Sequence, residues 1–243
     1  MPALWKSKMA IRITGDCHGK IDQYVDDILN SNCSGSLQVG DMGFDYKKLN
    51  ILDSSVHKFY GGNHENYDLY ENCPYSLGDY GFYELLDFSF FFIRGAFSID
   101  YKHRQRFDEI HNTKSWWAKE ELNLTQMNNC FELYKKLKPK YLLTHTCPSS
   151  ISNIIGNPRF LHNMGFDPDS FTTNTQEFLQ SCFDFYKPKV HIYGHFHQNL
   201  DFIYKGTRFI CLDELCHIDI VNGKILNKNK TRKINHPDVK NCV

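Results

Sequence analysis

Eight residues able to bind a metal or carry a proton fall at five places of one kind in this sequence. Asp16 and His18 follow the apolar run Ile11–Thr14, Asp41 follows Leu37–Val39, and Asn63 and His64 follow Val56–Tyr60. His145 follows Tyr141–Leu143, and His195 and His197 follow Val190–Tyr193. Each run reads as a buried strand opening onto a polar turn. In open α/β sheets ligands bind beyond the carboxyl ends of the strands, so residues this far apart in the chain can converge. Asp16 and His18 are two apart, as are His195 and His197; on an extended segment each pair shares a side and could chelate one ion. Imidazole, carboxylate and amide oxygen without thiolate suit Mn, Fe, Zn or Ni better than they suit a cysteine-bound structural zinc. The seven candidates other than His64 exceed the needs of one ion of four to six ligands, which favours two ions. Asp41, the lone carboxylate at its junction, is then the natural bridge.

Positioning these residues requires strands that alternate with helices. Ile21–Leu29, Gln126–Leu137 and Gln176–Tyr186 carry the clearest helical patterns between the strands, so an α/β layered architecture follows. Phe88–Ile93 is an unbroken apolar strand, with Ala96–Ile99 as a further strand after Gly95. Leu200–Tyr204, Arg208–Leu212 and His217–Val221 read as a closing antiparallel meander turned at Lys205-Gly206. The expected organisation is one domain over residues 1–222, with the polar, proline-bearing stretch 149–175 as its insertion. Residues 223–243, rich in Lys and Asn, read as a flexible tail.

Composition narrows the function classes. The 243 residues suit one core. Lys plus Arg and Asp plus Glu balance at 28 each, so no global positive field exists to hold a nucleic-acid backbone. Nine cysteines without a CxxC pair, behind an N-terminus lacking an apolar export core, point to reduced thiols and a cytoplasmic location. No window approaches the ~18 apolar residues of a membrane span.

The ordered blocks GDCHG, VGDMGFD, GGNHE, THT and GHFH, spread over positions 15 to 197, resemble the signature of the calcineurin-like metallophosphoesterases, in particular small bacterial and phage-type members. Any single block is weak; five in the family's order are not. The resemblance implies an α/β fold of two mixed β-sheets in a sandwich flanked by helices, and a dinuclear site, with one divalent ion held by Asp16, His18 and His197, a second by Asn63, His145 and His195, and Asp41 between them. Manganese is the first expectation, with Fe, Zn, Ni and Mg as alternatives. It further implies in-line attack on phosphorus by metal-activated hydroxide, Asp41 taking part as the bridge. His64 would protonate the leaving oxygen or stabilise charge on the phosphoryl group. The expected substrate is a small or nucleotide-like phosphate ester; a nuclease is the alternative, with nucleic acid not favoured as a partner.

The chain departs from the GDxVDRG pattern of the phosphoprotein phosphatases. Asp45 lies one position late and no Arg follows, which argues against protein Ser/Thr phosphatase activity. A phosphate-binding cation must come from elsewhere, and Arg94, Arg104 and Arg106 in RGAFSIDYKHRQRF are the candidates, because a guanidinium donates in a planar fork. GAFSIDYKHR followed by SWWAKEE is also similar to a segment of small bacterial and phage metallophosphoesterases, which implies Arg104 near the substrate and Trp116-Trp117 as a cleft wall. From burial preference alone the two tryptophans are core. His57, His103, His111 and His191 are read as surface or packed residues without a role. A non-catalytic scaffold should have lost ligands, and none is missing here.

Overall fold

The computed structural model describes residues 10–242. In chain order it comprises β1 (Ala10–Thr14), α1 (Ile21–Leu29), β2 (Gly35–Gln38), β3 (His57–Phe59), α2 (Tyr67–Tyr70), β4 (Tyr80–Leu85), β5 (Phe88–Ile93), α3 (Tyr101–His111), α4 (Leu124–Leu137) and β6 (Tyr141–Thr144). There follow α5 (Ser149–Ile155), α6 (Pro158–Asn163), α7 (Asn174–Phe185), β7 (Val190–Tyr193), β8 (Leu200–Tyr204), β9 (Thr207–Cys211), β10 (His217–Val221), β11 (Lys224–Leu226) and β12 (Val239–Asn241). The strands form two mixed sheets, one in the order β11-β10-β1-β2-β3 and one in the order β12-β8-β9-β7-β6-β5-β4.

The alternation of residues along the strands dictates this sandwich. Ile11 and Ile13 of β1 point into the space between the sheets, where they meet Leu37 and Val39, and Phe90, Phe92, Leu143 and Ile192 from the other sheet. Arg12 points the opposite way and pairs with Asp27 at 2.8 Å and Asp219 at 3.0 Å. Strand β5 is apolar on both faces because both are covered: Phe91 and Ile93 pack outward against Met127, Cys130 and Tyr134 of α4 and Leu179 of α7. On the opposite flank α1 buries Ile21, Tyr24, Val25 and Ile28, a face at helical spacing. Helix α4 starts at a capping box of Asn123 and Gln126, and Thr173 caps α7.

Several expectations are corrected. Residues 200–221 are not one meander. Strands β8 and β9 form the hairpin turned at Lys205-Gly206, but β10 crosses to the other sheet and pairs with β1. Ala96–Ile99 is not a strand, because the Ser98 amide donates to the Glu120 carboxylate at 2.7 Å and leaves no ladder to join. Tyr101–His111 forms α3, and the insertion 149–175 carries α5 and α6. The stretch expected as a flexible tail contributes β11, paired with β10 through a turn at Asn222-Gly223, and β12, paired with β8. Asn-Gly is the dipeptide that such a two-residue hairpin demands, and both residues have positive φ.

Candidate metal centre

Loops at the carboxyl ends of five strands meet at one end of the sandwich. The loop after β1 is tied to the loop after β2, since the amides of Cys17 and His18 donate to the Asp41 carbonyl at 3.0 and 2.8 Å. Buried Gln38 joins the same two loops, donating to the carbonyls of Gly15 and Gly40 and accepting from the Gly40 amide. Glycines permit the closeness: a Cβ on Gly62 would collide with the side chains of Asp41 and His145, and one on Gly194 with Asp16.

All seven expected ligands arrive at this point. His18 Nε2 lies 2.9 Å from His197 Nε2, and Asp16 Oδ2 is 3.6 Å from the first and 3.3 Å from the second. His145 Nε2 lies 3.2 Å from both Asp41 Oδ1 and Asn63 Oδ1. The His195 ring stands 5.1 Å from that of His145, centroid to centroid, and its backbone amide donates to Asp16. Three groupings place their ligand atoms within 4.8 Å of one another: Asp16 with His18 and His197, His18 with Asp41 and His64, and Asp16 with Asp41 and His145. These are buried Asp/His clusters that could hold metal ions. Two imidazole nitrogens facing each other beside a carboxylate make an arrangement that a cation between them would satisfy.

The backbone is strained where the ligands sit. His18, Asp41, His195 and His197 all have positive φ, between 46° and 67°. A left-handed conformation costs a non-glycine residue about 1–3 kcal/mol, and such strain gathers where geometry serves function. It also corrects the reading of Asp16-His18 and His195-His197 as extended pairs: each is brought together by a sharp loop.

The electrostatics of the cluster couples its carboxylates to its imidazoles. Burial pushes the Asp41 carboxyl up, but His145, His64 and His18 outweigh it and hold it well below its usual value. Burial likewise lowers the His145 imidazole, yet Asp41 and Asp16 raise it to about 9. His145 Nδ1 faces the Val39 carbonyl at 2.9 Å, which turns Nε2 toward Asp41 and Asn63. Burial pushes His195 down to about 3, leaving it neutral as a ligand must be.

The remaining candidates divide. His64 stands over the cluster, its ring 5.0 Å from that of His18 and its amide donating to Asp41 at 2.7 Å. Arg104 is buried and donates from Nη1 to the Asn63 carbonyl at 3.2 Å and to Ser98 Oγ at 2.9 Å, while its Nη2 has no partner. Arg94 is not brought to the cavity: it pairs with Asp79 at 2.6 Å, donates to the Lys119 carbonyl and lies over the Tyr67 ring. Arg106 is exposed on α3. Asp45 accepts from the Lys47 amide at the surface. Trp117 packs in the core under α1 and Trp116 against Tyr101, and neither lines the cavity. His191 is a core residue bonded to Thr144.

Two groups escaped the sequence reading. Glu65, fully buried, accepts from the Met42 amide and the Tyr46 hydroxyl, and burial with the Asp41 charge pushes it up to about 8. Ser98 donates to Glu120 at 2.7 Å and accepts from Asn63 Nδ2 at 3.3 Å. Both lie inside quoted segments, GGNHE and GAFSID, so the available signal was their position in the motif.

No known family's sequence profile matches the chain, and no curated protein matches it. Solved structures do. The phosphopantetheinyl hydrolase of Mycobacterium tuberculosis matches at 13% identity and a TM-score of 0.48, over 86% of this chain and 90% of that one. The Plasmodium protein GAP50, described as the anchor in the inner membrane complex, matches at 11% and 0.45 over 90% and 83%. A Thermotoga maritima protein matches at 15% and 0.41 over 92% and 99%. Scores this low decide nothing about chemistry. Among the described residues no helix is long and apolar enough to cross a membrane.

Proposed function

We propose that this chain is a metal-dependent hydrolase of phosphate esters with a dinuclear centre. One observation carries the reading: seven side chains from five strand ends converge, and four of them, His18, Asp41, His195 and His197, sit on backbone of positive φ. Asp16, His18 and His197 would hold one ion, Asn63, His145 and His195 the other, and Asp41 would lie between them. The donor set fits manganese first, with Fe, Zn, Ni and Mg as alternatives. Bound divalent ions would supply the charge that makes water acidic enough to attack at neutral pH and that offsets the phosphoryl oxygens.

The chain's own contribution beyond holding ions centres on His64. Burial lowers its imidazole, and the charges of Arg104 and His18 add to the effect against Asp41 and Asp100. At neutral pH it is therefore an uncharged ring, whose N–H donates a hydrogen bond to the phosphoryl group or leaving oxygen. Arg104 supports Asn63 and Ser98 through Nη1.

The test is hydrolysis of p-nitrophenyl phosphate and bis-p-nitrophenyl phosphate by metal-stripped protein with Mn, Mg, Zn and Ni restored singly. Metal-restored turnover that Asp41→Asn abolishes, together with metal retention, supports the reading. An Asp41→Asn protein with full activity, or a wild-type chain that binds no ion, refutes it. His64→Ala should keep the ions and lose about 10²–10³-fold in turnover, the range for removing one transition-state donor.

A further inference from the structure

The cavity at the cluster extends well beyond it. It holds about 650 Å³, within the range of small-molecule sites, and only one end is walled by the candidate ligands and His64. The rest is walled chiefly by Phe97, Ile99, Phe160, Leu161, Met164 and Phe171. Three of these come from α6 and the residue after it, a helix that buries no residue of its own. Phe160 is 50% and Met164 37% exposed although both face a cavity, an apolar surface uncovered in the free protein.

The charge of the wall is equally informative. It contains no Lys and no Arg, and its carboxylates are Asp41 and Asp100. A second phosphate, or a nucleic-acid backbone leading away from the cluster, would meet no cation there. Uncharged polar residues also line it, namely Ser152, Asn153, Asn157, Thr173, Gln176 and Gln198. Gln176, 4% exposed in the wall, gives its Nε2 to Ser152 Oγ at 3.1 Å and leaves Oε1 buried without a partner. Turning the amide over only exchanges which end is free.

We infer that this is a leaving-group pocket, and that the substrates are phosphate esters of an uncharged, largely apolar alcohol. The inference rests on the phosphoesterase reading and specifies its substrate class. In the reaction water adds to phosphorus, the bond from phosphorus to the alcohol oxygen breaks, that oxygen takes up a proton, and the products are phosphate and the free alcohol. No oxidant or further reactant is needed.

A ladder of ethyl, butyl, hexyl and octyl phosphate tests this, because the leaving alkanols are chemically alike and only chain length changes. With manganese restored, kcat/KM should rise about fourfold per methylene, the equivalent of ~0.8 kcal/mol per buried CH₂, until the cavity is full. Binding of 1-butanol, 1-hexanol and 1-octanol to metal-stripped protein, read by calorimetry, should tighten in parallel. Leu161→Asp, on a helix outside the core, should flatten both series at unchanged Tm. Turnover without chain dependence would overturn the pocket while leaving the phosphoesterase reading intact. Graded alkanol binding without turnover of any ester under any metal would overturn the phosphoesterase reading, and the substrate class with it. A preference for nucleoside diphosphates over octyl phosphate would also overturn the inference.

Discussion

A single hydroxyl proton fixes which end of Asn63 faces the metal position. Ser98 Oγ lies 2.7 Å from Glu120, 2.9 Å from Arg104 Nη1 and 3.3 Å from Asn63 Nδ2. Burial pushes Glu120 up to about 7, so at pH 8 it is a carboxylate and can only accept. The Ser98 proton therefore points to Glu120, the guanidinium and the amide N–H groups fill its lone pairs, and Asn63 Oδ1 is left facing His145. Glu120→Gln inverts this order without changing volume. Its oxygen must stay with the Ser98 amide, so its NH₂ donates to Ser98 Oγ and the hydroxyl proton turns toward Asn63. The Asn63 amide then rotates and presents N–H groups, which cannot ligate. Removing an outer partner of a metal ligand typically costs 10–100-fold in affinity. On the proposed assignment, the ion that Asn63, His145 and His195 would hold should weaken by that factor at pH 8, while the ion that Asp16, His18 and His197 would hold changes by less than about threefold. Ser98→Ala should give the same selective loss, but also about 2–4 kcal/mol of stability, because buried groups of Asn63 and Glu120 lose a partner. Two-site manganese titration by calorimetry, paired with thermal unfolding, separates the effects. A Glu120→Gln protein that binds both ions like the wild type would refute the account.

Three further outcomes follow from the geometry. Gly62→Ala places a methyl against Asp41 and His145, and should lower both metal affinity and Tm; an alanine protein with wild-type metal titration would show that the close approach is unnecessary. Asp41 and Asp16 hold a proton on His145 at neutral pH, and a ligand must be neutral, so metal binding at pH 7.5 should release a proton, and affinity should climb with pH until that group is deprotonated. Calorimetry in Tris and in HEPES checks this, since proton release makes the apparent enthalpy depend on the buffer. Truncation after Val221 removes β11 and β12, bares the β8 edge and strips Ile234, 8% exposed, from its cluster. It should lower stability by about 2 kcal/mol or more by urea unfolding, whereas an unchanged midpoint would restore the flexible-tail reading.

What the sequence made legible follows the period of the local pattern. Strands β5, β8 and β10 and helix α1 stand at their expected residues because their apolar patterns face a packed layer. Elements whose stability comes from a distant partner left no such trace. Helix α3 has one buried residue, Arg104, and β12 is written Val-Lys-Asn, which only the free edge of β8 turns into a strand. The site divides along the same line. The residues that converge there were legible because residue type and position after a strand jointly single them out. Arg94 was a candidate by residue type alone, and its pairing with Asp79 and the Tyr67 ring depends on segments distant in the chain. Ser98 and Glu120 went unassigned because their work is to orient another residue, and orientation depends on which of three partners receives one proton. That information exists only once the chain has folded, so a motif search finds the ligands of such a centre and misses the groups that aim them.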